Sequence, residues 1–111
     1  MAKVVNENKI KEMKFSNVFV KELLVNKMPS ITIAKIKLSG ENEKCRNKQS
    51  DTYYYIIEGE GAFTIDGKKF PVKKGNLVCI PKNSTYQDCG NLIMLSIAIP
   101  KFNPDNVEII K

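Results

Sequence analysis

Two pairs of side chains in this chain have the types and spacing for chemistry on a small molecule. Arg46 and Lys48 stand two residues apart, and Thr52, Tyr54 and Ile56 follow at the same parity. Tyr86 and Asp88 form the second pair. In an extended backbone, residues of one parity share a face. A guanidinium and an ammonium hold carboxylate or phosphate through charge-assisted hydrogen bonds. Tyr86 can donate a proton or a hydrogen bond. Asp88 can act as a base where it is desolvated, or simply pair with Arg46 or Lys48. The plainer alternative puts Arg46 and Lys48 on a solvated loop, Asp88 on the surface, and Tyr53, Tyr54 and Tyr55 in strand packing.

The chain contains no histidine, so imidazole, the commonest metal ligand, is missing. Cys45 and Cys89 with Asp88 are left as a thiolate alternative, but at no recognised spacing. No metal and no other cofactor is expected. Cys45, Cys79 and Cys89 are the three cysteines, an odd number that suggests reduced thiols. Cys79 lies in the apolar run Leu77-Val78-Cys79-Ile80 and is expected to be a small buried hydrophobe.

These residues must be positioned by strands. Thr52 to Ile57 is aromatic and β-branched throughout. Gly59-Glu60-Gly61 is expected to break that strand with a turn, and Ala62 to Ile65 makes another. Asp66-Gly67 is the dipeptide a type I′ hairpin prefers, because both central residues need φ > 0. Lys74-Gly75-Asn76 is a further turn, and Pro81 ends the strand from Leu77 to Ile80. Upstream, Val18 to Val25 reads as a strand, residues 26–30 as a turn, and Ile31 to Leu38 as a strand with Thr32, Ala34, Ile36 and Leu38 inside and Lys35 and Lys37 outside. Residues 40–51 are polar and read as a loop. Residues 82–91 read as a loop running into a short strand. Leu92 to Ile99 is apolar on both faces, which marks a central, covered strand. Turn signals every 8–12 residues between short strands imply an all-β barrel or sandwich with little helix.

At 111 residues the chain is long enough for one domain with a single core. No apolar run is long enough to span a membrane, and residues 1–14 lack the apolar region of a signal peptide. The cytoplasm is the expected compartment. The 18 basic and 12 acidic residues leave a net charge of +6. That favours anionic partners, but the basic residues are scattered and form no basic helix, which argues against nucleic acid.

The stretch from Gly75 to Gly90 resembles the second motif of the cupin family, G-x5-P-x-G-x2-H-x3-N. Gly75 and Pro81 fit it, Asn83 stands at the glycine, Tyr86 at the histidine and Gly90 at the asparagine. The first motif, G-x5-H-x-H-x3-4-E-x6-G, then opens at Gly40 and closes at Gly59, with Thr52 at the glutamate. Its histidines become Arg46 and Lys48, or Cys45 and Asn47 at the longer spacing. The ending Ile99 to Asp105 is similar to the P-x-F-x-P-(D/E) tail of small cupins. The resemblance covers roughly residues 30–107. It implies a double-stranded β-helix, or jelly-roll barrel, of two antiparallel sheets, making one domain over residues 1–111. Residues 1–29 would be a strand-forming or dimer-contacting extension. It also implies that Tyr86 and Asp88, with Arg46, Lys48, Thr52 and Tyr54, line the barrel mouth, and that the usual metal site is lost.

Two functions follow from that resemblance. One is metal-independent binding of an anionic small molecule, such as a sugar, sugar phosphate or carboxylate. The other is a metal-free isomerase or epimerase with Tyr86 as acid and Asp88 as base, although such cupins rely on a histidine base that is absent here. A structural or regulatory interaction role is a third reading. A homodimer is expected, because an apolar strand such as Leu92 to Ile99 needs cover on both faces.

Overall fold

The computed structural model describes residues 2–25 and 30–111. The turn expected at residues 26–30 falls largely outside the described residues. Nine antiparallel strands account for most of the chain: β1 (Met13–Phe15), β2 (Val18–Val25), β3 (Thr32–Glu41), β4 (Cys45–Asn47), β5 (Asp51–Ile65), β6 (Lys68–Lys73), β7 (Leu77–Ile80), β8 (Thr85–Ile99) and β9 (Val107–Ile109). Among the described residues helix is confined to two 3-10 turns, Glu7–Lys9 and Pro104–Asn106. The strands form one curled sheet in the order β1-β2-β3-β8-β4-β9, with β5 pairing β6, β7 and β8. The fold is an all-β barrel.

Two long strands make the barrel. β5 and β8 each run 15 residues and pair from Asp51↔Ile99 to Ile65↔Tyr86. β8 also pairs with β3 from Thr32↔Ala98 to Glu41↔Cys89, so it is the central strand its apolar sequence implies. The inner faces of these strands meet in a core of Leu38, Ile56, Phe63, Val78, Ile80, Leu92 and Met94. On β3, Thr32, Ala34 and Leu38 are buried and Ile36 is half-buried, whereas Lys37 is exposed. This is the alternation that its sequence requires.

The hairpin at Asp66-Gly67 has both φ angles positive, 49° and 83°. Asp66 Oδ1 further accepts a 2.9 Å hydrogen bond from the Thr85 amide. The turn before β7 places Gly75 at φ 91°, and Asn76 Oδ1 accepts from the Lys73 amide. Asn83, at the motif's glycine position, has φ 72°. Asparagine tolerates that region better than most side chains do.

Several expectations need correction. Gly59-Glu60-Gly61 is not a turn, because β5 runs straight through it with a register shift between Ile56 and Glu58. Its glycines allow close crossing instead. A Cβ on Gly59 would overlap the Asn91 carbonyl oxygen, and one on Gly61 the Cys89 oxygen. Residues 85–91 are strand, the first half of β8, because they pair with β5 and β4 as well as β3. Cys79 is exposed, since β7 alternates and only Val78 and Ile80 face the core. The tail forms β9, which pairs with β4 from Cys45↔Ile109 to Asn47↔Val107.

The N-terminal segment lies over the outer face of the sheet. Glu7 pairs with Lys35 at 2.9 Å and Glu12 with Lys37 at 3.8 Å. β1 closes a hairpin onto β2 through Ser16, at φ 55°.

Candidate functional site

The chemistry-bearing residues come from β4, β5 and β8, where these strands pass each other inside the barrel. Cys45 stands opposite Tyr86 in the β4–β8 pair, and both are 8% exposed. Tyr86 and Asp88 share the inward face of β8 with Leu92, Met94, Ser96 and Ala98, because alternate residues of a strand point the same way. Thr52, Tyr54 and Ile56 share the inward face of β5, and Thr52 and Ile56 are buried. The Tyr54 and Tyr86 hydroxyls are 3.4 Å apart. The Tyr54 ring packs against Phe63 at 5.2 Å and Tyr86 at 6.3 Å between centroids.

Asp88 is 3% exposed. Asn42, just past the end of β3, holds it. Asn42 Nδ2 donates to Asp88 Oδ1 at 3.1 Å, and the Asn42 amide donates to the Asp88 carbonyl at 2.9 Å. Gln87 Nε2 in turn donates to the Asn42 carbonyl at 2.8 Å. The short loop from β3 to β4 is thereby tied to β8.

Burial dominates the electrostatics here. It pushes the Asp88 carboxyl up, with the Asn42 hydrogen bond pulling it partly back. It also raises the Tyr54 and Tyr86 phenols, because an ionised phenol next to Asp88 or to the other ring would be poorly solvated. The Cys45 thiol is raised for the same first reason, with Tyr86 opposing and Asp88 adding to the shift. In each case desolvation penalises the charged form. The cluster is thus a set of protonated hydroxyls and a thiol around one buried acid.

The two cations do not join it. Parity on β4 runs buried, half-buried, buried over Cys45, Arg46 and Asn47, so Cys45 and Asn47 take the inward positions and Arg46 faces out. Lys48 is exposed. The first motif therefore follows the longer of its two spacings. Arg46 instead pairs with Glu108 on β9 at 3.6 Å, and its Nε is enclosed without a hydrogen-bond partner. Among the described residues no lysine or arginine is buried.

The donors at the motif's ligand positions do not suit a metal ion of the usual cupin kind. They are Cys45, Asn47, Thr52 and Tyr86, with neither imidazole nor carboxylate. Asn47 Oδ1 is already occupied by the amides of Gln49 and Ser50, at 3.0 and 2.8 Å. Among the described residues no group of three or more cysteine, aspartate and glutamate side chains is placed to hold a metal. Cys45 and Cys89 are both free thiols, and Cys89 faces away from the interior, opposite in parity to Asp88.

Several inward positions keep accessible surface. Tyr54, Ser96, Ile36 and Val20 are half-buried although they share the inward faces of β5, β8, β3 and β2. Glu22 stands opposite Ala34 on the same face, since Ala34 is buried and the two are paired. Two surface grooves of about 360 and 320 Å³ lie outside this region, beside Phe19 and Ile93 and beneath the N-terminal segment at Leu23 and Leu95. Sequence reasoning missed Asn42, Ser96 and Glu22. Glu22 shares the parity of Val18 and Val20, a signal that could have placed it inside. Asn42 lies in a polar stretch whose sequence carries no such signal.

Comparison with known proteins agrees with this architecture. A family model for the cupin domain matches residues 34–87, from within β3 to the residue before Asp88. Uncharacterized protein MJ1618 of Methanocaldococcus jannaschii is 36% identical over 66 residues, which are 56% of this chain and 53% of that protein. The match thus spans about half the length of this relative. Among solved structures, Streptomyces PAC13 with uridine superimposes with a TM-score of 0.92 at 16% identity, covering 100% of this chain and 92% of that one. PAC13 is described as a nucleoside dehydratase. KdgF from a Halomonas species has a TM-score of 0.84 at 11% identity, over 95% of this chain and 99% of that one. A predicted oxalate decarboxylase from Thermotoga maritima has 0.79 at 24% identity, over 88% and 99%. At these identities the likeness is one of fold.

Proposed function

We propose that this chain, which carries a cupin domain in a single barrel over residues 1–111, binds a small hydroxyl-bearing molecule of the sugar class inside that barrel without a metal. The supporting observation is the convergence of Tyr54, Tyr86 and Asp88 on one inward surface, with the two hydroxyls 3.4 Å apart. Thr52 and Ser96 share that surface. Asn42 engages one carboxyl oxygen of Asp88 and leaves the other for a ligand. Buried polar groups of this kind gain most from a partner that satisfies them. Arg46 and Lys48, expected to hold an anion, face outward, so the anionic character of the ligand loses its support. The solved neighbours include a nucleoside dehydratase, a variant of which is solved with uridine, and this favours a sugar-containing ligand.

The second reading is proton transfer on such a ligand, with Tyr86 donating and Asp88 accepting. The burial-raised carboxyl of Asp88 favours it, because a base is most effective when its pKa approaches the working pH. We further propose that the protein works as a homodimer in the cytoplasm. Tyr55, Ile57 and Leu77 are 46%, 39% and 59% exposed and would gain cover from a second copy. Three free cysteines suit a reducing compartment.

The test is a ligand titration with ribose, uridine and related sugars, read by calorimetry on wild type and Tyr86→Phe. Wild type should bind at least one of them. Tyr86→Phe should weaken that binding by roughly 2- to 12-fold, the range for one hydrogen bond, with little loss of stability. If the variant binds every sugar as tightly as wild type, Tyr86 does not face the ligand.

A further inference from the structure

Among the described residues the inward surface carries acids and hydroxyls but no cation, and that asymmetry selects among ligands. We propose that the barrel interior accepts an uncharged, hydroxyl-bearing ligand and excludes its phosphorylated counterpart, with Asp88 as the residue that discriminates. This rests on the interior being the binding site.

Asp88 is 3% exposed on the inward face, and Glu22 stands on the inward face of β2 opposite Ala34. Arg46, next to Cys45 on β4, is turned outward onto Glu108. Lys35 and Lys37 are engaged on the outer face by Glu7 and Glu12. No buried lysine or arginine among the described residues offsets the acids. A phosphate brought to this surface would be desolvated beside a carboxyl and would meet no counter-charge. A desolvated phosphate without a counter-charge is disfavoured in either protonation state of Asp88, and an ionised Asp88 adds like-charge repulsion.

The hydrogen-bonding inventory points the same way. The free oxygen of Asp88 wants a donor. The Tyr54 and Tyr86 hydroxyls hydrogen-bond each other, which leaves one phenolic proton to seek an acceptor. A hydroxyl group provides both, whereas a phosphate only accepts and an ammonium only donates. Asn42 fixes which carboxyl oxygen is available, because its Nδ2 occupies Oδ1. It is a positioning residue for Asp88. The net charge of the chain, +6, is therefore no guide to the ligand, since no lysine or arginine among the described residues is buried.

The experiment compares matched pairs by calorimetry: ribose against ribose 5-phosphate, and uridine against uridine 5′-monophosphate. Wild type should bind the uncharged member at least about tenfold more tightly than its phosphate. In Asp88→Asn the gap should narrow to about threefold or less, because an amide keeps the shape and removes the charge. A wild-type preference for either phosphate overturns the proposal, as does a gap that Asp88→Asn leaves unchanged. The wild-type comparison stands by itself if the variant does not fold. If wild type binds neither member of either pair, the interior reading falls and this proposal falls with it.

Discussion

Asp88 is the buried acid beside Tyr54, Tyr86 and Cys45. Its carboxyl is buried, carries a single side-chain hydrogen bond from Asn42, and is raised above the ordinary range by desolvation. A carboxyl raised in this way keeps its proton in the folded chain after the unfolded chain has lost its own. The stability it contributes is therefore complete below the unfolded value and is lost as pH rises through the folded one. Asp88→Asn removes the dependence. Its melting temperature is expected to gain on wild type as pH rises from about 4 toward neutrality. Thermal unfolding across that range checks this, and a difference that shrinks with rising pH contradicts it. The phenols differ in kind. Burial keeps Tyr54 and Tyr86 protonated, so they act as neutral hydrogen-bond donors rather than as phenolates.

The crossing of β5 on β8 is the element on which the site depends. These two strands carry Thr52, Tyr54, Tyr86 and Asp88, and they can approach only because Gly59, Gly61 and Gly90 lack side chains where they meet. Gly61 has no positive φ to satisfy, so its requirement is purely one of space. Gly75 is the converse case, with φ 91° and nothing within reach of an added Cβ. Gly61→Ala is expected to destabilise by on the order of 3 kcal/mol or more, since backbone must move. Gly75→Ala should cost only about 1–2 kcal/mol, the penalty of the left-handed region for a residue with a Cβ. Chemical denaturation of the two variants separates these causes. Equal losses would mean that the strand crossing is looser than its geometry implies.

At the scale of the whole molecule, two expectations concern what the chain holds and how it assembles. With Cys45, Asn47, Thr52 and Tyr86 at the ligand positions, the purified protein is expected to carry less than one transition metal per chain, and chelator should leave its melting temperature unchanged. One tightly held iron, nickel or zinc per chain by elemental analysis would defeat this. Tyr55, Ile57 and Leu77 remain exposed although the N-terminal segment is pinned on the outer face by Glu7 on Lys35. A dimer should therefore appear by light scattering at tens of micromolar, and a monomer there would count against it.

The amino-acid sequence determined the local events. Turn chemistry at Asp66-Gly67 and at Gly75 follows from backbone φ alone, and so does the fitness of Asn83 for a glycine position. The alternation over β3 follows from the two-residue period of a strand, and the same period puts Thr52 and Tyr54 of β5 on one face. The absence of histidine, and with it of the usual metal donors, is a property of composition. Tertiary structure alone decided the rest. Whether Gly59-Glu60-Gly61 turns or continues depends on how closely β8 approaches, which no local pattern encodes. Whether Arg46 or Cys45 faces inward depends on the register of β4 against β8, and a shift of one residue exchanges the two faces. That register put the cations outside and left Asp88, with Asn42 from a distant loop, as the charged residue at the centre of the cluster.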